Sequence, residues 1–188
     1  MKNLKLIAFA VVASLSMTSM VGQTKKVVVE KSKITWIGKK VTGQHEGTVN
    51  FKDGALVFKG KKLKGGSFTV DMNSLTATDL QGEYQGKLNA HLKDEDFFAT
   101  AKFPTSTMVF KKIADKGNNI YTVTADLTIK NITNPVTFDI AVNGNTAKTN
   151  LKIDRTKYDI KYGSGSFFDN LGDKTINDEF EMSVNLVF

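Results

Sequence analysis

The chain contains no cysteine, which excludes disulfide staples and thiolate-ligated metal and leaves packing to carry its stability. Its histidines are His45, in a glycine-bracketed turn, and His91, in a helical stretch. No ligand spacing joins them, so a histidine-rich metal centre is not expected. No apolar run reaches the eighteen or so residues that a membrane-spanning helix needs. Gly163-Ser164-Gly165-Ser166 lacks the frame of a nucleophile elbow, and no Gly-Lys-Ser or Gly-Lys-Thr completes a phosphate loop. Carboxylates are plentiful at Asp79, Glu83, Asp94, Glu95 and Asp96, yet nothing in the sequence pairs them as acid and base across a cleft. The one enzyme reading left is a hydrolase using His91 with Asp94 or Asp96. The expectation is therefore a protein that is not an enzyme and holds no metal and no cofactor.

Basic residues outnumber acidic ones, 26 to 19. Most lysines stand singly in strands and turns, and the densest group, Lys59, Lys61, Lys62 and Lys64 beside Gly60 and Gly65, reads as a solvated hairpin turn. No aromatic platform for single-stranded nucleic acid accompanies them, so no nucleic-acid partner is expected. Weak attraction to an anionic membrane surface is what such a charge balance predicts.

Residues 1–22 read as a secretory signal peptide: Lys2 and Lys5, an apolar run over 6–15, then small residues to a cut after Gly22. With no cysteine at the cut, a lipid-anchored N-terminus is not expected. Removing the leader lowers the formal charge from +7 to +5 and leaves 166 of the 188 residues, enough for one domain and one core. The expected location is periplasmic or secreted, with no transmembrane helix.

What the remaining sequence has in abundance is alternation. Tyr121, Val123, Ala125, Leu127 and Ile129 share one phase while Thr122, Thr124, Asp126 and Thr128 share the other. Residues 136–142, 149–153 and 180–188 repeat the pattern. A period of two marks strands with one dry and one wet face, and about eight or nine such segments are separated by Gly, Asn, Asp and Lys turns. Asp53-Gly54 is read as one hairpin turn. Between residues 80 and 93, Leu80, Tyr84, Leu88 and Leu92 fall on one side of a short helix, strongest over 87–93. The class is all-β with one helix. Alternation alone allows a sandwich with a solid interior as well as a barrel, and a small barrel either fills its interior or holds one ligand.

Several separated segments resemble one family in order. Ser32-Lys33-Ile34-Thr35-Trp36, residues 40–49, Gly66-Ser67-Phe68-Thr69-Val70-Asp71-Met72, residues 87–98, Lys102-Phe103-Pro104-Thr105, residues 125–138 and Ile153-Asp154-Arg155-Thr156 are similar to the YceI-like lipid- and polyisoprenoid-binding proteins. Lys130-Asn131 stands where a glycine is common in that family. The resemblance implies an antiparallel lipocalin-like β-barrel of about eight strands over residues 23–188, enclosing an apolar cavity. It also implies export and a bound isoprenoid or other lipid of quinone or polyprenyl type, to be carried or sequestered, and it supplies no catalytic residues. A ligand-free structural or stress-related interaction module is the alternative.

In a barrel the inward phase would line the cavity: Ile34, Trp36, Val49, Phe51, Phe68, Val70, Met108, Phe110, Val123, Leu127, Phe138, Ile140, Leu151, Ile153, Met182, Val184 and Leu186. Tyr158, Tyr162, Phe167 and Phe168, with Phe97 and Phe98, are candidates for a mouth or lid. Arg155, the one charged residue singled out in a matched segment, is expected to clamp carbonyls or form a salt bridge at a strand end. The expected partners are an amphiphilic lipid ligand and, transiently, an anionic membrane; a homodimer is left open.

Overall fold

Asn118-Asn119 and Lys130-Asn131 each place two consecutive residues at positive φ, between 50° and 61°, the backbone of a two-residue hairpin turn whose twist matches that of the strands it joins. Asparagine tolerates this region well and lysine less so, so the turn at 130–131 keeps its hairpin geometry without glycine. Such turns organise residues 22–188, which the computed structural model describes. The proposed leader, Gly22 excepted, lies outside these residues.

The strands are β1 (Gln23–Lys26), β2 (Lys33–Lys40), β3 (Gly43–Lys59), β4 (Lys62–Ala77), β5 (Thr105–Gly117), β6 (Ile120–Ile129), β7 (Ile132–Asn143), β8 (Thr146–Asp154) and β9 (Ile176–Val187). One helix, α1 (Gly82–Lys93), stands between β4 and β5. Neighbours follow the order β3-β2-β9-β8-β7-β6-β5-β4, and β4 pairs back onto β3. That last pairing closes an eight-stranded antiparallel barrel and settles the choice against a sandwich. β1 is a short addition on the far half of β3, with Gln23 opposite Phe58.

Two expectations are corrected. Asp53-Gly54 is no hairpin: β3 runs through it with a register irregularity between Phe51 and Asp53, and the turn comes after Lys59. A Cβ at Gly54 would press on the Phe68 ring and Val27, so the glycine serves close packing rather than chain reversal. The helix begins at Gly82, earlier than its strongest periodicity. Its seam is narrower than the four-residue spacing suggests, since Leu92 is buried while Tyr84 is 73% exposed. Side-chain amides supply the rest of its attachment: Asn89 accepts from the Ala77 amide at 2.7 Å, and Gln85 donates to the Ala77 carbonyl at 2.8 Å.

The barrel's two ends differ. The β3–β4, β5–β6 and β7–β8 turns gather at one end, where Leu56, Phe58, Leu63, Tyr121, Val123 and Ala147 are all buried and Phe58 stacks on Phe188 at 5.6 Å. This hairpin end is plugged. At the other end stand α1, the 94–104 segment and the long 155–175 connection.

Candidate functional site: the barrel cavity

Above the plug, inward side chains of all eight barrel strands surround a cavity of about 180 Å³, roughly a dozen times the space one water needs. Its wall is almost wholly apolar. Phe51, Phe68, Phe110 and Phe138 form an aromatic ladder along one side, with successive ring centroids 5.9, 5.5 and 5.9 Å apart, within the range where tilted aromatic pairs attract. Ile34, Val184 and Ile140 also line it, aligned by the register: Ile34 pairs with Val184, Val184 with Thr149, and Thr149 with Ile140. Two of the hydroxyls in this wall are bonded to backbone carbonyls. Ser106 Oγ donates to the Thr128 carbonyl at 2.8 Å and Thr149 Oγ1 to the Asp139 carbonyl at 2.7 Å. An apolar cavity of this kind holds no well-bonded water.

Trp36 lines the cavity, and its indole N–H donates to the Thr48 carbonyl at 3.3 Å. Its plane lies against Gly47, where a Cβ would collide with the indole and the Thr76 carbonyl. The expected turn at 43–47 is instead the start of β3, where Gly47 stands opposite Trp36 and His45 opposite Gly38, and the missing Cβ of Gly47 lets the only tryptophan of the chain lie flat in the wall.

Every residue assigned to the wall from strand phase stands on it except Val123, which is fully buried in the plug at the hairpin end, below the cavity. The lid candidates divide. Phe97 and Phe98, from the segment after α1, line the cavity at the helix end. Phe97 packs on His91 (5.4 Å) and Phe98 on Phe180 (6.2 Å), while Tyr162 reaches His91 at 4.5 Å from the 155–175 connection. Tyr158 is corrected: at 1% exposure it is buried in the turn after β8 and does not face the cavity. Burial, then the nearby Asp154 charge, pushes its hydroxyl up to about 12, and the hydroxyl finds no hydrogen-bond partner. Phe167 and Phe168 are corrected too, being half exposed on the outside of the connection. Strand phase could not place these three because they lie in an irregular segment with no alternation. Phe180, Met72, Leu75, Leu92 and Ile129 also line the cavity. The phase of β9 signals Phe180; Leu92 is signalled by the helix seam.

Arg155 closes the helix end. Only 2% exposed, it donates through Nε to Asn177 O (3.0 Å), through Nη1 to Ile160 O and Tyr162 O (both 2.8 Å) and through Nη2 to Ile176 O (3.0 Å). Burial pushes the guanidinium down from its usual value, opposed by the charges of Asp178 and Asp154. The carbonyl-clamp expectation describes what it does: one side chain ties the 155–175 connection to the start of β9. Its guanidinium also sits 5.7 Å from the Phe97 ring centroid, within cation–π range, which links the clamp to the lid.

The hydrolase reading pairs His91 with Asp94 or Asp96. His91 Nδ1 is 3.9 Å from Asp96, too far for the hydrogen bond that would orient a base, and the ring packs against Phe97 and Tyr162. Among the described residues no three His, Asp or Glu side chains gather at metal-binding distance. No helix among them is long and apolar enough to cross a membrane.

A closed antiparallel barrel, plugged at one end and hollow and greasy toward a lidded other end, defines the lipocalin-like class. Residues 23–188 match the model of the YceI-like domain, and the chain belongs to that family. It is 35% identical over 91 residues to a UPF0312 protein of Shewanella denitrificans, covering 48% of this chain and 46% of that one. It is 31% identical over 98 residues to Protein YceI of an Escherichia coli strain, covering 52% and 49%. The matched stretches thus span about half the length of these relatives. Among solved structures, Burkholderia cenocepacia BcnA aligns with TM-score 0.69 at 27% identity over 86% of this chain and 99% of that one. A polyisoprenoid-binding domain from Saccharophagus degradans, implicated in plant cell wall breakdown, aligns with TM-score 0.58 at 14% identity over 86% and 95%, a likeness of fold.

Proposed function

We propose that the protein is an exported binding protein that encloses the tail of a long isoprenoid-type lipid in the barrel and carries or sequesters it, without catalysing a reaction. The observation that carries this reading is the cavity itself: all eight strands contribute to an almost wholly apolar wall, in which the Ser106 and Thr149 hydroxyls are bonded to backbone carbonyls. A polyprenyl tail in water exposes apolar surface along its whole length, and each buried CH₂-sized group contributes roughly 0.8 kcal/mol. Four or five isoprene units offer a gross gain on the order of 15 kcal/mol, against roughly 4 to 15 kcal/mol for association and ordering. Micromolar binding therefore requires no charged contact, and selectivity is for length and shape. Export rests on the leader-like residues 1–22, and the polyisoprenoid class on the family and on the domain that shares the fold.

Trp36 is a built-in reporter. A polyprenyl alcohol carrying bromine near the end of its tail should quench Trp36 fluorescence on binding, and Phe138→Asp or Leu127→Asp should abolish the quenching while the far-ultraviolet β signal persists. Undiminished quenching in a folded Phe138→Asp variant would overturn the assignment of this cavity.

A further inference from the structure

The lysines that look scattered along the sequence are gathered by the barrel. The half nearest the hairpin turns comprises 22–33, 51–68, 108–126, 139–150 and 184–188, and holds thirteen lysines against five carboxylates, Glu30, Asp53, Asp115, Asp126 and Asp139. The helix half holds eleven cations against fourteen carboxylates. The net charge of the described chain therefore conceals a polarity of +8 at the plugged end and −3 at the cavity end. Of the hairpin-end lysines, Lys62 pairs with Asp115 at 2.6 Å, Lys116 with Asp139 at 2.7 Å and Lys111 with Asp126 at 3.2 Å. Lys59, Lys61, Lys64 and Lys112 make no ion pair among the described residues and are exposed.

We propose that the hairpin end docks on an anionic lipid bilayer and holds the cavity mouth away from it. The choice of a bilayer rests on the lipid-binding reading of the cavity; the choice of end rests on charge placement alone. A potential of this sign attracts anionic headgroups and repels them at the opposite pole. The lysines project from several separate turns and strands and line no groove, which suits a flat surface. Single-stranded nucleic acid would need aromatic side chains on which to stack bases, and the exposed aromatics, Tyr84, Tyr162, Phe167 and Phe168, all belong to the opposite end. Docked this way, the protein presents its lid and that aromatic surface to the aqueous side.

The test is co-sedimentation of the purified protein with vesicles of equal phosphatidylglycerol and phosphatidylcholine, or of phosphatidylcholine alone. Binding should require phosphatidylglycerol and weaken with salt. At roughly fivefold per lysine near the surface, combined Lys59→Gln, Lys61→Gln, Lys64→Gln and Lys112→Gln should weaken it roughly 600-fold, whereas Phe167→Ser with Phe168→Ser should leave it unchanged. Since the chain has no cysteine, a dye on Asn145→Cys should be quenched by headgroup-borne quencher and a dye on Tyr84→Cys should not. Binding to phosphatidylcholine alone, loss with the phenylalanine pair instead of the lysines, or quenching at Tyr84→Cys would each overturn the proposal. Lipid retention by the same variants is measured in parallel, so failure to dock with a loaded cavity refutes the docking and leaves the cavity reading standing.

Discussion

Replacing Val184 by phenylalanine probes the cavity where the tail should end. Val184 lies in the wall between Ile34 and Thr149 on neighbouring strands, close above the plug and only partly buried, so the added ring has empty space to enter. The substitution brings four more carbon atoms into the inner part of the hollow. Overpacking in a filled core costs typically 1–3 kcal/mol; here the cavity absorbs much of the ring, and the stability change should fall at or below the lower end of that range. For a tail long enough to reach this level, displacing about four CH₂-sized groups removes roughly 3 kcal/mol of burial, close to a hundredfold in Kd. A tail two isoprene units shorter never reaches Val184 and should bind as before. Titrating farnesyl-, geranylgeranyl- and longer polyprenyl alcohols against Trp36 fluorescence separates the two cases, because phenylalanine adds no second indole. Equal weakening of every length, or of none, would refute the reasoning that tails enter from the helix end and stop above the plug.

Arg155→Met should lower stability by at least about 3 kcal/mol, since it leaves the carbonyls of Ile160, Tyr162, Ile176 and Asn177 without their buried donor; urea denaturation measures it, and a loss under 1 kcal/mol would contradict the clamp. Tyr158→Phe should leave stability unchanged or raise it by up to about 1 kcal/mol, because it removes a buried hydroxyl without a partner; a large destabilisation by calorimetry would show that the hydroxyl is bonded. Burial pushes the Asp178 carboxyl up, but the hydroxyls of Ser164 and Ser166 and the Arg155 cation outweigh it and hold it below the usual carboxylate range. Its folded pKa lies below its unfolded one near 3.9, so its contribution is complete above that pH and is lost as pH falls through the folded value. Asp178→Asn should therefore flatten the fall of Tm on acidification below about pH 4, and an unchanged slope would contradict this.

The cavity wall was legible because alternation fixes which face each strand turns inward: once Ile34 and Trp36 are in phase with Val49, Phe51 and Phe68, closing the sheet sends them all to one interior. Val123 shares that phase, and its fate in the plug depends on how far up the strand the hollow begins, a matter of barrel height that no local pattern carries. The Asp53-Gly54 pair misleads because the same dipeptide serves a tight turn or a close approach, and only the position of the Phe68 ring distinguishes them. The 155–175 connection has no period at all. Its conformation hangs on one long-range clamp at Arg155, so Tyr158, Phe167 and Phe168 could be picked out as aromatic but not placed. The charge polarity was illegible for a related reason, since lysines from residue 25 to residue 148 meet only when the hairpins are brought to one end.

The most direct measurement is mass spectrometry of the material extracted from protein purified from its own cells under conditions that spare bound lipid. A barrel that encloses such a tail should yield a long-tailed isoprenoid-type lipid at near one per chain, lost from Phe138→Asp. A cavity that is empty in the purified protein and does not take up polyprenyl alcohol when offered it would rule out a lipid-carrying barrel.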